Sequence, residues 1–337
     1  MPVRALPPVP AAMAGAACIS SSAVLMRLAG TSASITALGR CALALPVLGV
    51  LVLAGRRRGP ASGRVPLLAH SRWLARLAGV FLAADLIVWS HSINAIGAGL
   101  GTVVTNLQVL IVAAAAWLIL GERPGRSLLL AAPVMLAGLV LVGGLADTGG
   151  SRAYGTNPRL GVLFGVGVAI LYAVYILMLR QATSPGGAGL PVAAVLFEAT
   201  AGATVTSAVL GFVLRDYHLG PGPFPWAALG WLALLALTSQ VIGWLLITVS
   251  MPRLAAGMVG ALLLVQPAGS VALGYLILGE RPSPLQLLGV VLVLTGVVVA
   301  VAGRPKQQAG EAQSRASTRI IRQASAASTG RSSPKSP

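Results

Sequence analysis

The sequence predicts an all-α integral membrane protein, with ten transmembrane helices arranged as two inverted five-helix repeats. Three observations carry this: the composition, the spacing of apolar runs, and a charged phrase written twice. The 337 residues are 56% hydrophobic and 9% charged, with a mean hydropathy of +0.86. A soluble domain would charge about a quarter of its residues to keep its surface wet. Ten apolar segments cover approximately 10–29, 32–54, 74–95, 98–120, 127–145, 159–180, 190–214, 226–250, 255–278 and 284–302. Each is close to the roughly 20 residues a helix needs to cross the hydrocarbon core. None alternates apolar with polar residues, which removes a barrel; in lipid that leaves helices, whose backbone polar groups are satisfied within the segment.

The first segment is preceded by an Arg at position 4 and opens on small residues, a pattern shared with cleaved signal peptides. Retention is the favoured expectation, because removal would leave nine spans. The remaining segments are separated by Arg-bearing or Gly/Pro-bearing loops. With the N-terminus inside, 18 Lys and Arg fall on the inner side and 5 on the outer, with Arg40 left in the membrane. That bias places both termini in the cytoplasm. The Arg-, Ala- and Gly-rich composition suggests a GC-rich bacterial genome, hence a bacterial inner membrane. The formal charge of +17 would point to nucleic acid if it covered a folded surface. It lies instead in loops and in a Ser-, Gln- and Arg-rich stretch over 303–337, expected to be a disordered basic cytoplasmic tail held near anionic lipid. No nucleic-acid partner is expected. Cys18 and Cys41 provide neither a disulfide framework nor a metal-ligand spacing.

The duplicated phrase is WLILGERPGR at 117–126 and YLILGERPSP at 275–284, an offset of 158 residues. The same offset sets Gln108 on Gln266 and Arg40 on Glu198. Each half, 10–145 and 159–302, therefore holds five spans, and an odd number turns the second half upside down. Inverted repeats of this kind are common in membrane carriers, whose sites lie near the bilayer midplane. The LGERP charges themselves are expected to snorkel into the interface at two helix ends, each followed by a Pro that starts the next helix.

With LGERP ending the fourth span of each half, and with DLIVWSHSINAIGAGLGTVVTNLQVL and SQVIGWLLITVSMPRLAAGMVGALLLVQP in between, the chain resembles the EamA-type branch of the drug/metabolite transporter superfamily over about 10–303. The resemblance implies a ten-helix carrier of small organic solutes, often an exporter. It names no single substrate.

Ionisable groups within spans are costly and tend to face a cavity or a partner. Arg40, Asp85 and Glu198 are all expected at midplane depth. Arg40 suits an anionic group of a solute; Asp85 or Glu198 suits a cationic group or a proton. The competing structural reading is a buried ion pair of Arg40 with Asp85 or with Glu198. Asp85, Trp89 and Ser92 share a helical face, and Trp89 could stack on a planar solute or fill the bundle. His91 sits nearby on another face, with a proton relay through Asp85 ranked below a plain hydrogen-bonding role. Tyr172 and Tyr175, and the neutral polar Asn106, Gln108, Ser239, Gln240 and Gln266, offer hydrogen bonds to a solute or between helices at about 1 kcal/mol each. Gly97–Gly101 and Gly161–Gly165 have GxxxG spacing, which suits close helix packing or a homodimer contact. The expected partners are thus a small-molecule substrate and the lipid bilayer.

No cofactor is expected. The chain has no GxxxxGK[ST] phosphate loop and only two Lys, Lys306 and Lys335, which disfavours an ATP-driven pump and leaves a proton or solute gradient. Ser90 and His91 are adjacent on a helix and point about 100° apart, and neither HExxH nor GxSxG occurs, so an intramembrane enzyme is disfavoured. A passive channel lacks a filter motif or charge ring.

Overall fold

A computed structural model describes residues 7–58, 69–120, 125–144, 157–183, 192–217, 226–250, 254 and 264–302. Every expected apolar run contains helix, and no strand occurs among the described residues. α1 (Pro8–Ser20) and α2 (Ser22–Ala29) divide the first run at Ser21. α3 (Ala33–Arg58) and α4 (Ala69–Ile96) are long and continuous. The fourth run is broken into α5 (Ala98–Thr105) and α6 (Gln108–Leu120) by turns at Asn106 and Leu107. α7 (Arg126–Val142) closes the first half. The second half holds α8 (Pro158–Thr183) and α9 (Val192–Val213). Its third helix passes from α10 (Trp226–Leu235) through a π-helical segment, Ala236–Gly243, to α11 (Trp244–Ser250). α12 (Val265–Leu278) and α13 (Pro284–Ala302) end it.

Among the described residues, seven stretches are long and apolar enough to cross a membrane, and three shorter apolar helices cover Arg126–Val142, Val265–Leu278 and Pro284–Ala300. Large apolar side chains such as Leu118, Phe212 and Leu276 stand exposed on the outside of the bundle. Water would not tolerate so many, whereas lipid does. The first copy of the LGERP phrase, with Glu122 and Arg123, and the basic stretch 303–337 lie outside the described residues.

Adding 158 to the bounds of α7 gives 284–300, which α13 covers, and adding it to α3 gives 191–216, which frames α9. Packing follows the same exchange. α7 packs on α13 and α3 on α9, each pair being its own counterpart. α4 packs on α8 in the first instance, and its counterparts α10, the π segment and α11 pack on α1 and α2. The main core lies where α2, α3, α4, α8 and α9 meet, around Leu82, Leu86, Trp89, Ile93 and Tyr175.

Small residues set a close crossing of α4 on α9. A Cβ on Gly79 would overlap the carbonyl oxygen of Ala199, and one on Gly202 would overlap that of Arg76. The Gly161–Gly165 pair is used in the same way inside the bundle: a Cβ on Gly161 would stand 2.6 Å from Ile96 Cβ, and one on Gly165 would overlap Val104. Two helix starts are capped from a distance in sequence. Asp216 Oδ2 accepts the Ser34 N–H of α3 at 3.0 Å, and Glu280 caps α5. Glu280 Oε1 accepts from Ala98 N at 2.6 Å and Oε2 from Gly99 N at 3.1 Å. The Glu of the second LGERP phrase is therefore buried against a helix N-terminus rather than snorkelled into the interface. Its charge matches the positive end of the α5 dipole, and Gly97, at φ 103°, turns the chain so that α5 starts there.

Candidate functional site

Arg40 lies on α3, about 10 Å along the helix from its start. It is 5% exposed. Its Nε donates to Gln240 Oε1 at 2.9 Å and its Nη2 to Ser239 Oγ at 3.2 Å. Both acceptors belong to the π-helical segment. Gln240 spends its amide on Thr200 Oγ1 of α9 at 3.3 Å, and Ser22 of α2 donates to Ser239 Oγ at 2.6 Å. Four side chains from three elements, the π segment, α9 and α2, thus hold one buried guanidinium directly or through one another. In an α-helix neighbouring side chains diverge by about 100°; here the consecutive Ser239 and Gln240 of the π segment both reach the same group.

Asp85, on α4, is equally buried. It shares the electrostatic surroundings of Arg40 with Tyr172 and Tyr175 of α8, without a direct ion pair to the guanidinium. Tyr172, Tyr175 and Trp244 form an aromatic cluster beside it. Ring centroids lie 5.7 Å apart for the two tyrosines and 6.4 Å from each to the indole. Trp89 stands one turn along α4 from Asp85, packed in the main core. Three buried polar atoms here have no hydrogen-bond partner: Arg40 Nη1, Asp85 Oδ1 and Trp89 Nε1. Orphaned donors and acceptors of this kind cost about 1–3 kcal/mol each and are rare in native interiors.

The ends of α4 differ. Near its start, Arg72 Nε and Arg76 Nε each lie 2.7 Å from a separate oxygen of Glu198. Near its other end a polar cavity of about 220 Å³ is lined by Arg27, Thr31, Ser90 and Asn94 together with Met26, Gly30 and Ile93.

The sequence profile of the EamA-like transporter family matches residues 6–144 and again 159–302, most of the chain and once per half. The chain belongs to the EamA-like transporter family. As an EamA-like protein it is a multi-pass membrane protein of a family that transports small solutes. A protein crystal structure is similar at a TM-score of 0.56 and 19% identity, covering 88% of this chain and 96% of that one, which is a likeness of fold. No curated protein matches the sequence.

Within the EamA-like bundle the sequence-predicted residues separate into groups. Arg40, Asp85, Trp89, Tyr175 and Gln240 come together. Glu198 does not join them. It is repeat-equivalent to Arg40 and equally deep along its helix, yet it faces the two arginines at the start of α4, so neither of the ion pairs expected for Arg40 forms directly. His91 is exposed and its ring meets Phe164 at 5.6 Å, so it is not placed to relay a proton to Asp85. Gln108 and Gln266 are half-buried near the starts of α6 and α12. Sequence reasoning missed Ser22, Thr200 and Trp244. Small hydroxyls are too common in this chain to signal a site, and Trp244 becomes a site residue only through the position of α8.

Proposed function

We propose that the protein is a secondary carrier that moves a small polar organic solute across a bacterial inner membrane by alternating access, with export as its direction. One observation carries the reading: a donor on Arg40, an acceptor on Asp85 and a donor on Trp89 lie buried and unpartnered within a bundle of a transporter family. Such a set is complementary to a polar solute and costly without one. Tyr175 and Tyr172 supply the aromatic wall.

In this reading all ten apolar helices cross the membrane, with the second five inverted. Exchange-symmetric packing of α3 on α9 and α7 on α13 supports the arrangement. The Arg and Lys bias sets both termini in the cytoplasm, which makes the start of α4 its inner end. Glu198, bridging Arg72 and Arg76, then closes the inner side, while the cavity at Ser90 and Asn94 opens toward the outer side. Asp85 receives a cationic group of the solute or a coupling proton. No cofactor takes part, and a proton or solute gradient drives the cycle.

The test is flux into liposomes containing the purified protein. Saturable, gradient-coupled flux that Asp85→Asn lowers at least tenfold, with melting temperature retained, is the expected result. Non-saturating flux would make the protein a channel, and undiminished flux in Asp85→Asn would place the site elsewhere.

A further inference from the structure

A guanidinium presents two bidentate edges, one through Nε and Nη2 and one through Nη1 and Nη2. In Arg40 the first edge is fully taken, by Gln240 Oε1 and Ser239 Oγ. Both are neutral oxygens. The orientation of the Gln240 amide is fixed because its nitrogen is bonded to Thr200. Ser239 is held in turn by Ser22. Nη1, on the second edge, is buried and has no partner. Asp85 acts on the guanidinium from beyond ion-pair contact. A buried cation clamped by neutral groups, with Nη1 unpartnered, lacks the counter-charge in direct contact that a purely structural arginine would have.

We infer that Ser239 and Gln240 are positioning residues that clamp the Nε edge of Arg40 so that its Nη1–Nη2 edge receives the carboxylate of the transported solute. The inference rests on the carrier reading above and names the group that the site selects. A planar carboxylate matches that edge with two parallel N–H···O bonds. Lysine could not replace Arg40, because one ammonium cannot hold the clamp and offer a second planar edge. The clamp is formed by two consecutive residues of the π-helical segment, an irregularity often found at functional sites.

The test uses the purified full-length protein and a panel of the twenty amino acids, their amides, the nucleobases and a cationic dye, with affinity read from thermal stabilisation. Acids are expected to bind at least tenfold more tightly than their amides. Gln240→Glu places a carboxylate on the clamped edge and neutralises the guanidinium; it is expected to bring the acid-to-amide ratio to about one. If that variant does not fold, Ser239→Ala, which removes one contact, is expected to lower the ratio about threefold. Equal binding of acid and amide, binding of no acid at all, or a ratio unchanged in the variants would overturn the inference. Liposome flux of whatever compound binds separates the two levels. Carriage of nucleobases or dye without acids leaves the carrier standing and removes only the carboxylate, whereas binding without saturable flux removes the carrier.

Discussion

Replacing Glu280 tests whether a residue at the far end of the second repeat holds together the first. Its carboxylate spans the N-terminus of α5, at 2.6 Å from Ala98 N and 3.1 Å from Gly99 N, and is 3% exposed. The left-handed Gly279 ends α12 and lets the Glu280 N–H return to Gly274 O at 3.1 Å, which aims the side chain across the repeat boundary. Glu280→Ala leaves two buried N–H groups unsatisfied, at about 1–3 kcal/mol each. Loss of the charge at the helix dipole adds to this, up to about 2 kcal/mol in a partly buried setting. Relief of the buried carboxylate's own desolvation offsets part of the sum, so a net loss of about 3 kcal/mol is expected. Glu280→Gln keeps one acceptor and turns its amide nitrogen toward the other N–H, and so should lose about half as much. At about 2.1 cal/mol/K of unfolding entropy per residue, each kcal/mol moves the midpoint of a chain this long by about 1.4 °C, so the melting temperature in detergent should fall by roughly 4 °C for Ala and by about half of that for Gln. An interfacial, snorkelled Glu would cost about 0.5 kcal/mol or less. An Ala variant melting within about 1 °C of the parent, or a Gln variant less stable than Ala, would refute the capping argument.

Three further outcomes follow from the α4–α9 contact. Glu198 is buried while the Arg72 and Arg76 side chains are 41% and 57% exposed, so solvent screening limits each pair to about 1 kcal/mol, and a double-mutant cycle of Glu198→Gln with Arg76→Gln should return a coupling of about that size. Ala75, between the two arginines in sequence, lies buried against Ala182, Ala194 and Val195; with Cys18 and Cys41 replaced, Ala75→Cys should react several-fold faster with a water-soluble thiol reagent once Glu198→Gln is added, and an unchanged rate would deny that the ion pairs close this end. Gly79→Ala and Gly202→Ala drive a Cβ into backbone carbonyls and should cost about 1–3 kcal/mol or more, whereas Gly230→Ala, with nothing within 4 Å of the added atom, should be neutral or stabilising in folded yield by size-exclusion chromatography.

Much of this architecture was legible in one dimension. A helix in lipid must be apolar over a defined length, so composition and run length expose the helices directly, and a duplicated phrase at constant offset exposes the two halves. The LGERP pair is informative as a register mark for the same reason. The burial of Arg40, Asp85 and Glu198 could also be read, since they interrupt apolar runs.

Which groups meet could not be read. Arg40 and Glu198 are equivalent by repeat, yet one finds neutral oxygens and the other two arginines, because partners are assigned by helix crossings between residues 122–200 positions apart. The break at Asn106 and Leu107 and the π turn at Ala236–Gly243 lie inside apolar runs, where hydropathy does not distinguish an α-turn from a wider or broken one. Glu280 looked interfacial because it ends a span; only the tertiary approach of α12 to α5 gives its carboxylate two backbone donors. The sequence by itself determined the solvent the chain folds in, the number of apolar segments and their duplication, because those depend on residue type and spacing. The tertiary structure decided the clamp on Arg40, the orphaned atoms beside it and the ion pairs at the start of α4, because each depends on the direction of a side chain across a packed interface.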